Sequence, residues 1–201
     1  MSTLQVMVAW VSLLLLSPGA LLSQSQQAVT AFVNVNVIPM DRERVLEGHT
    51  VVIRGRRIIA LGPHSSTEVP DGATRIDGRG KYLAPGLAEM HAHIPPGDAS
   101  DPDVERVLFL YVANGVTVVR GMLGHPSHLT LKQRVQSGDL LAPTIYTSGP
   151  SLNGRSVPTP QAAARAVTEQ HAAGYDFLKI HPGVRRAVFD TLVATAKRLG
   201  M

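Results

Sequence analysis

Apolar and polar residues alternate at the start of the readable part of the chain. From Ala31 onward, Val33, Val35 and Val37 are interleaved with Asn34 and Asn36, the period-two pattern of a strand buried on one face. Residues 50–54 (TVVIR) and 57–61 (RIIAL) flank Gly55-Arg56 and predict a tight hairpin. Residues 74–77 (TRID) and 81–83 (KYL), separated by Gly78-Arg79-Gly80, predict two more short strands. Residues 31–83 therefore read as a small, mostly antiparallel β unit.

Beyond Pro85-Gly86 the rhythm becomes strand, helix, strand, helix. Residues 87–91 predict a short strand. Residues 103–113 predict a helix whose Val104, Val107, Leu108, Tyr111 and Val112 form one apolar stripe, closed by Asn114-Gly115. Residues 116–120 (VTVVR) follow as a strand, then a helix over 128–136 capped by Ser127, then a strand over 144–147. Thr159 caps and Pro160 opens the next helix, which ends near Gly174. Residues 176–181 predict the fourth strand. A last helix turns Val184, Ala187, Val188, Leu192, Ala196 and Leu199 inward and ends at Gly200. Four consecutive βα units predict an α/β fold with a parallel sheet buried on both faces. They also amount to half of an eight-stranded barrel. A free-standing four-stranded sheet would leave both edges uncovered, so residues 84–201 are expected to be the first half of a (βα)8 barrel, truncated after its fourth unit.

Composition narrows the function. The 201-residue chain is 44% hydrophobic and 17% charged, as in a folded globular protein. Its net charge of +4 comes from scattered Lys and Arg with no basic run interleaved with aromatics, which argues against a nucleic-acid partner. Cysteine is absent, which excludes disulfides, thiolate zinc sites, a cysteine nucleophile and a Cys-linked lipid anchor. Residues 6–16 (VMVAWVSLLLL) form an apolar run, followed by Ser17-Pro18-Gly19 and a polar stretch containing Ser23 and Ser25. That layout predicts a signal peptide over residues 1–25 and export to the periplasm or medium, with no membrane association of the mature form. Against it, no Lys or Arg precedes the apolar run. A retained membrane anchor is the alternative.

The candidate chemistry starts at Glu89-Met90-His91-Ala92-His93. Alternate strand residues project to one side, so His91 and His93 are expected to point together from the C-terminal end of the first barrel strand. Two neutral imidazoles one pleat apart can grip a borderline ion such as zinc, and barrel active sites gather on that rim. A His-x-His pair alone is weak evidence. Position gives it meaning.

Residues 34–61, then Tyr82-Leu83-Ala84-Pro85-Gly86-Leu87 leading into His91-Ala92-His93, resemble the amidohydrolase superfamily. Residues 113–120 (ANGVTVVR) and 174–180 (GYDFLKI) are similar to its imidazolonepropionase-like and Xaa-Pro dipeptidase branch. The resemblance implies a small β-sandwich attached to a (βα)8 barrel. It also implies divalent metal, usually zinc and two ions in the binuclear members, where a metal-bound hydroxide hydrolyses amide, cyclic amide or dipeptide C–N bonds. In binuclear relatives a lysine on the fourth strand is carboxylated and bridges the metals; Lys179 matches it, sharing a predicted strand face with Phe177 and His181. His91, His93 and Lys179 are then the expected metal ligands, and His181 a substrate-pocket residue. A Lys179 ammonium reaching solvent or pairing with Asp176 is the plainer reading.

Departures from the pattern matter too. Relatives often carry Asp after the arginine that ends the second strand, whereas Gly121 follows Arg120 here. Glu89 stands where Asp is frequent, either as a partner orienting the histidines or as a buried structural carboxylate. His125 and His128 are expected on the surface, and His49, His64 and His171 have no site-like context. The family's two further histidine ligands and its general-base aspartate belong to later strands, so no catalytic base is assigned here. The expected function is a metal-dependent C–N hydrolase of a small-molecule amide or dipeptide, with homo-oligomerisation open. The alternatives are a non-catalytic fragment of such an enzyme and a mononuclear deaminase-type relative.

Overall fold

The computed structural model describes residues 27–201, so the predicted leader over 1–25 lies outside the described residues. Two compact units divide the chain between Leu83 and Ala84.

The first unit is a five-stranded sheet of β1 (Val29–Val37), β2 (Leu46–Arg54), β3 (Arg57–Pro63), β4 (Thr74–Asp77) and β5 (Tyr82–Leu83), in the order β3-β2-β1-β4, with β5 also on β1. The hairpin forms where Gly55-Arg56 predicts it: Arg54 faces Arg57, and Gly55 takes a positive φ of 56°, which suits a residue without a side chain. The sheet is mostly antiparallel, through the β1–β2 and β2–β3 pairs, with two parallel additions on β1. β4 and β5 both run parallel to β1, because residues 64–73 are long enough to carry the chain back to the sheet's starting side. Simple alternation along β1 also breaks. Asn34 sits at a positive φ of 57° within a register shift, so Ala31, Val35 and Val37 are buried while Val33 is only half-buried. Val35, Val37 and Val51 form this unit's core with Phe32, Leu46, Ile53 and Leu83 around it.

The second unit begins with a parallel sheet of β6 (Leu87–Ala92), β7 (Val116–Gly121) and β8 (Thr144–Thr147). Around it lie α1 (Pro102–Ala113), α2 (Ser127–Ser137), α3 (Pro160–Ala173) and α4 (Arg186–Leu199), so the fold is mixed α/β. One core joins Ala92 and Ile94 to Val119 of β7, Ile145 of β8, Val104 and Leu108 of α1, and Leu131 and Val135 of α2. Along the end of β6 and the two residues beyond it, buried Ala92 and Ile94 alternate with exposed His91 and His93.

Helix ends follow the sequence with two exceptions, at Ser127 and at the start of α4, which begins at Arg186 so that Val184 precedes it. Asp101 caps α1 and Thr159 caps α3, the latter accepting from the Ala162 N–H at 3.2 Å. Gly138, Gly174 and Gly200 close α2, α3 and α4 in the left-handed conformation. Ser127 does not cap α2; it is the first helical residue, after Pro126, and its hydroxyl instead accepts from the Gly97 N–H at 3.2 Å.

The predicted fourth strand is extended but does not form a continuous ladder. Residues 147–152 pair with it only at Ser148–Phe177 and Leu152–Ile180. Gly149 and Pro150 lie between those bridges, and proline has no N–H to give. The pairing that exists is parallel and tight. Asp176 N–H donates to the Thr147 carbonyl at 2.9 Å, Leu152 N–H to Lys179 at 2.8 Å and His181 N–H to Leu152 at 2.7 Å. Leu178 and Ile180 turn toward a second core made by Leu152, Val157, Ala163, Val167, Val188 and Leu192.

Candidate metal site

Ala92 and Ile94 are each 1% exposed in the helix-side core, so chain alternation sends His91 and His93 to the opposite, open side. Their rings stand 5.4 Å apart between centroids, tilted by 45°. That spacing is informative. With zinc–nitrogen bonds of about 2.05 Å and a nitrogen about 1.15 Å from its ring centroid, two imidazoles on one tetrahedral ion stand about 5.2 Å apart. The centroid spacing is close to that value, although it does not by itself fix where the ring nitrogens point. Among the described residues no group of three or more His, Cys, Asp or Glu converges on one point, so the pair is a partial donor set.

Glu89 is exposed, not a buried structural carboxylate. Its Oε1 accepts from the His91 backbone N–H at 2.7 Å, which steadies the backbone on which the first imidazole stands.

Lys179 lies half-buried on the extended segment with Phe177 and His181, while Leu178 and Ile180 enter the core on the other side. The pairing with Asp176 does not occur. That carboxylate is taken by Lys132 of α2, 2.5 Å from Nζ to Oδ1, and by the Thr147 N–H, 2.8 Å from Oδ2. The Lys179 ammonium has no hydrogen-bond or ion-pair partner among the described residues. Beside it, the Arg120 guanidinium stacks over the Phe177 ring at 5.3 Å from the centroid, tying β7 to this segment.

His128 corrects the sequence reading. It is fully buried rather than at the surface, because both ring nitrogens have backbone partners. Nε2 bonds the Pro95 carbonyl at 3.1 Å, and Nδ1 accepts from the His125 N–H at 3.3 Å. The ring thus fastens the loop that leaves His93 to the loop that leaves β7. Burial pushes its pKa below the usual histidine value. His125 is exposed, as expected, with Nδ1 2.9 Å from the Ser127 hydroxyl. Periodicity gives no signal for such a clasp, because both partners are main-chain groups.

His181 is exposed and lines a depression of about 450 Å³ with Asn153, Gly154, Arg155, Pro182 and Gly183. Sequence reading did not single out Arg155, although Asn153-Gly154-Arg155 is a turn sequence beside the predicted pocket.

No family model matches the chain. An adenine deaminase of Ruegeria sp. (strain TM1040) is 30% identical over 92 residues, 46% of this chain and 15% of the relative. An imidazolonepropionase of Stenotrophomonas maltophilia (strain R551-3) is 34% identical over 67 residues, 32% of this chain and 16% of the relative. Among solved structures, a Xaa-Pro dipeptidase with bound methionine in its active site superposes with a TM-score of 0.70 at 21% identity, over 87% of this chain and 55% of that one. Molinate hydrolase does so with a TM-score of 0.75 at 18% identity, over 87% of this chain and 52% of that one. The chain thus spans about half the length of the solved structures and a far smaller share of the curated relatives. Over the part it spans, the chain is a relative of the amidohydrolase superfamily.

Proposed function

We propose that the chain is the metal-gripping N-terminal part of a metal-dependent hydrolase of carbon–nitrogen bonds, with a small-molecule amide, cyclic amide or dipeptide as substrate. The observation that carries this reading is the His91–His93 pair, whose 5.4 Å ring spacing matches two imidazoles on one ion. On this reading residues 84–201 form the first half of a (βα)8 barrel, and the face bearing His91, His93 and Lys179 is its interior rim. Imidazole nitrogen without thiolate suits a first-row divalent ion, with zinc the one expected from the resemblance. When bound, it supplies Lewis acidity toward the scissile carbonyl and lowers the pKa of the attacking water.

The chain's own residues have separate tasks. His91 and His93 present imidazole nitrogens, and Glu89 holds the His91 backbone in place through its N–H. Lys179, half-buried and without a carboxylate partner, is the amine suited to carboxylation by CO2, which would turn it into an anionic ligand for a second ion. Residues 1–25 serve as an export signal on the same reading, which places the mature enzyme outside the cytoplasm.

The similarity to adenine deaminases favours a second reading, in which one ion serves a deamination and Lys179 is not a ligand. Zinc titration against a chelating dye separates the readings. His91→Ala and His93→Ala should each weaken zinc binding by about a hundredfold, the effect of losing one of few donors. Lys179→Ala should lower the zinc stoichiometry only if the site is binuclear. Unchanged affinity in both histidine variants would defeat the assignment.

A further inference from the structure

We propose that the depression between residues 153–155 and 181–183 is a subsite for an anionic group, a carboxylate, on the substrate. This deepens the hydrolase reading by giving the substrate an acidic end, and it rests on that reading for the identity of the ligand as substrate.

The two walls are held in register by the backbone. Leu152 N–H donates to Lys179, and His181 N–H donates back to Leu152, so the turn after Leu152 must lie beside the turn after His181. The first turn is then fixed by its own contacts. Asn153 Oδ1 accepts from the N–H groups of Arg155 at 2.9 Å and Ser156 at 3.0 Å, while Asn153 N–H donates to the Ser156 hydroxyl at 2.8 Å. The turns touch at two glycines. A Cβ on Gly154 would lie 2.3 Å from the Gly183 carbonyl oxygen, so only hydrogen fits there. The pocket is therefore shaped before any ligand arrives.

Its lining carries a guanidinium and no carboxylate. Arg155 and His181 are the ionisable residues among the six that line the depression, and none is acidic. Neither the guanidinium nor the imidazole has a partner among the described residues. A guanidinium with five donors and an imidazole N–H, both free and facing one cavity, suit a planar two-oxygen anion. The position suits a substrate group as well. His181 follows Lys179 by two residues of extended chain, roughly 7 Å, a small-molecule distance from the proposed metal ligand.

The test reads binding alone and needs neither metal nor turnover. The His181 ring Cε1–H resonance, assigned with His181→Gln, is followed while the 201-residue chain is titrated with N-acetyl-L-alanine or with uncharged N-acetyl-L-alaninamide. The acid should give a saturable shift and bind about tenfold more tightly than the amide, the difference expected of one charge-assisted contact. Arg155→Gln, at an exposed position, should abolish that preference while the melting temperature stays unchanged, and Arg155→Lys should restore part of it. Equal shifts with acid and amide, or an unaltered preference in Arg155→Gln, would overturn the proposal. Because zinc titration reads the histidine pair independently, either idea can fail while the other stands.

Discussion

Replacing His128 with alanine should destabilise the chain more than any other single histidine substitution. The ring is fully buried and bonds the Pro95 carbonyl at 3.1 Å and the His125 N–H at 3.3 Å. Alanine leaves both part-buried main-chain groups without that partner, at about 1–3 kcal/mol each, and leaves a void where the imidazole stood. A total of about 3–5 kcal/mol follows, or a fall in melting temperature of roughly 6–20 °C for a chain of this size. His125→Ala is the matched control. It keeps the backbone N–H that His128 uses and loses only an exposed contact to Ser127, so it should cost below about 1 kcal/mol. Urea unfolding of the two variants measures the contrast. If His128→Ala costs no more than His125→Ala, the clasp is not what holds these loops.

Acid sharpens the same test. Nε2 faces a carbonyl and so carries the proton, while Nδ1 faces an N–H and must keep its lone pair. A proton on Nδ1 would point at a donor, and burial already disfavours the cation, so the folded pKa lies below the usual histidine value. The unfolded ring takes up a proton as pH falls through about 6.5 while the folded ring does not. The clasp's contribution is therefore complete above that pH and is lost on the acid side, at up to about 1.4 kcal/mol per pH unit for one proton. In His128→Gln that slope should disappear between pH 6.5 and the onset of carboxylate protonation.

Two further outcomes check the packing around the site. Gly124→Ala places a Cβ 1.8 Å from the Ser148 carbonyl oxygen and 2.5 Å from that of Gly149, so the loop after β7 must move; a loss of about 1–3 kcal/mol in urea unfolding is expected, and none would show that the loop yields freely. Thr159→Ala removes the side chain that accepts from the Ala162 N–H at 3.2 Å and should cost about 1 kcal/mol, with Thr159→Ser restoring most of it.

Where sequence reading succeeded, local chemistry decided the outcome. The Gly55-Arg56 hairpin, the strand over Thr144–Thr147, the Thr159 cap and the glycine ends of three helices all depend on residues within a few positions of one another. The facing of Leu178 and Ile180 away from Lys179 followed from alternation alone. The misses depend on distant partners. That β4 and β5 run parallel to β1 is set by where residues 64–73 return, which no residue type encodes. The broken fourth ladder reflects Pro150 on the opposite segment rather than anything in residues 176–181. Lys132 reaches Asp176 across forty-four residues, so the partner that left Lys179 unpaired lay outside any local window.

The histidines show how far residue type can mislead. His91, His93 and His128 sit within one unit, yet position decides what each can do. Ala92 and Ile94 commit their alternation to the helix-side core, which forces His91 and His93 into the open, where their nitrogens stay available to a ligand. His128 starts from the opposite side, on the helix that packs against that core, and both of its nitrogens are spent on backbone. The same side chain is thus a candidate donor on one face of the sheet and a structural pin on the other. The two roles touch at Pro95, two residues after His93, so loosening the pin should also blunt the grip of the pair. A zinc affinity that falls in His128→Ala, together with its stability, and less than in His93→Ala, is the signature of that coupling.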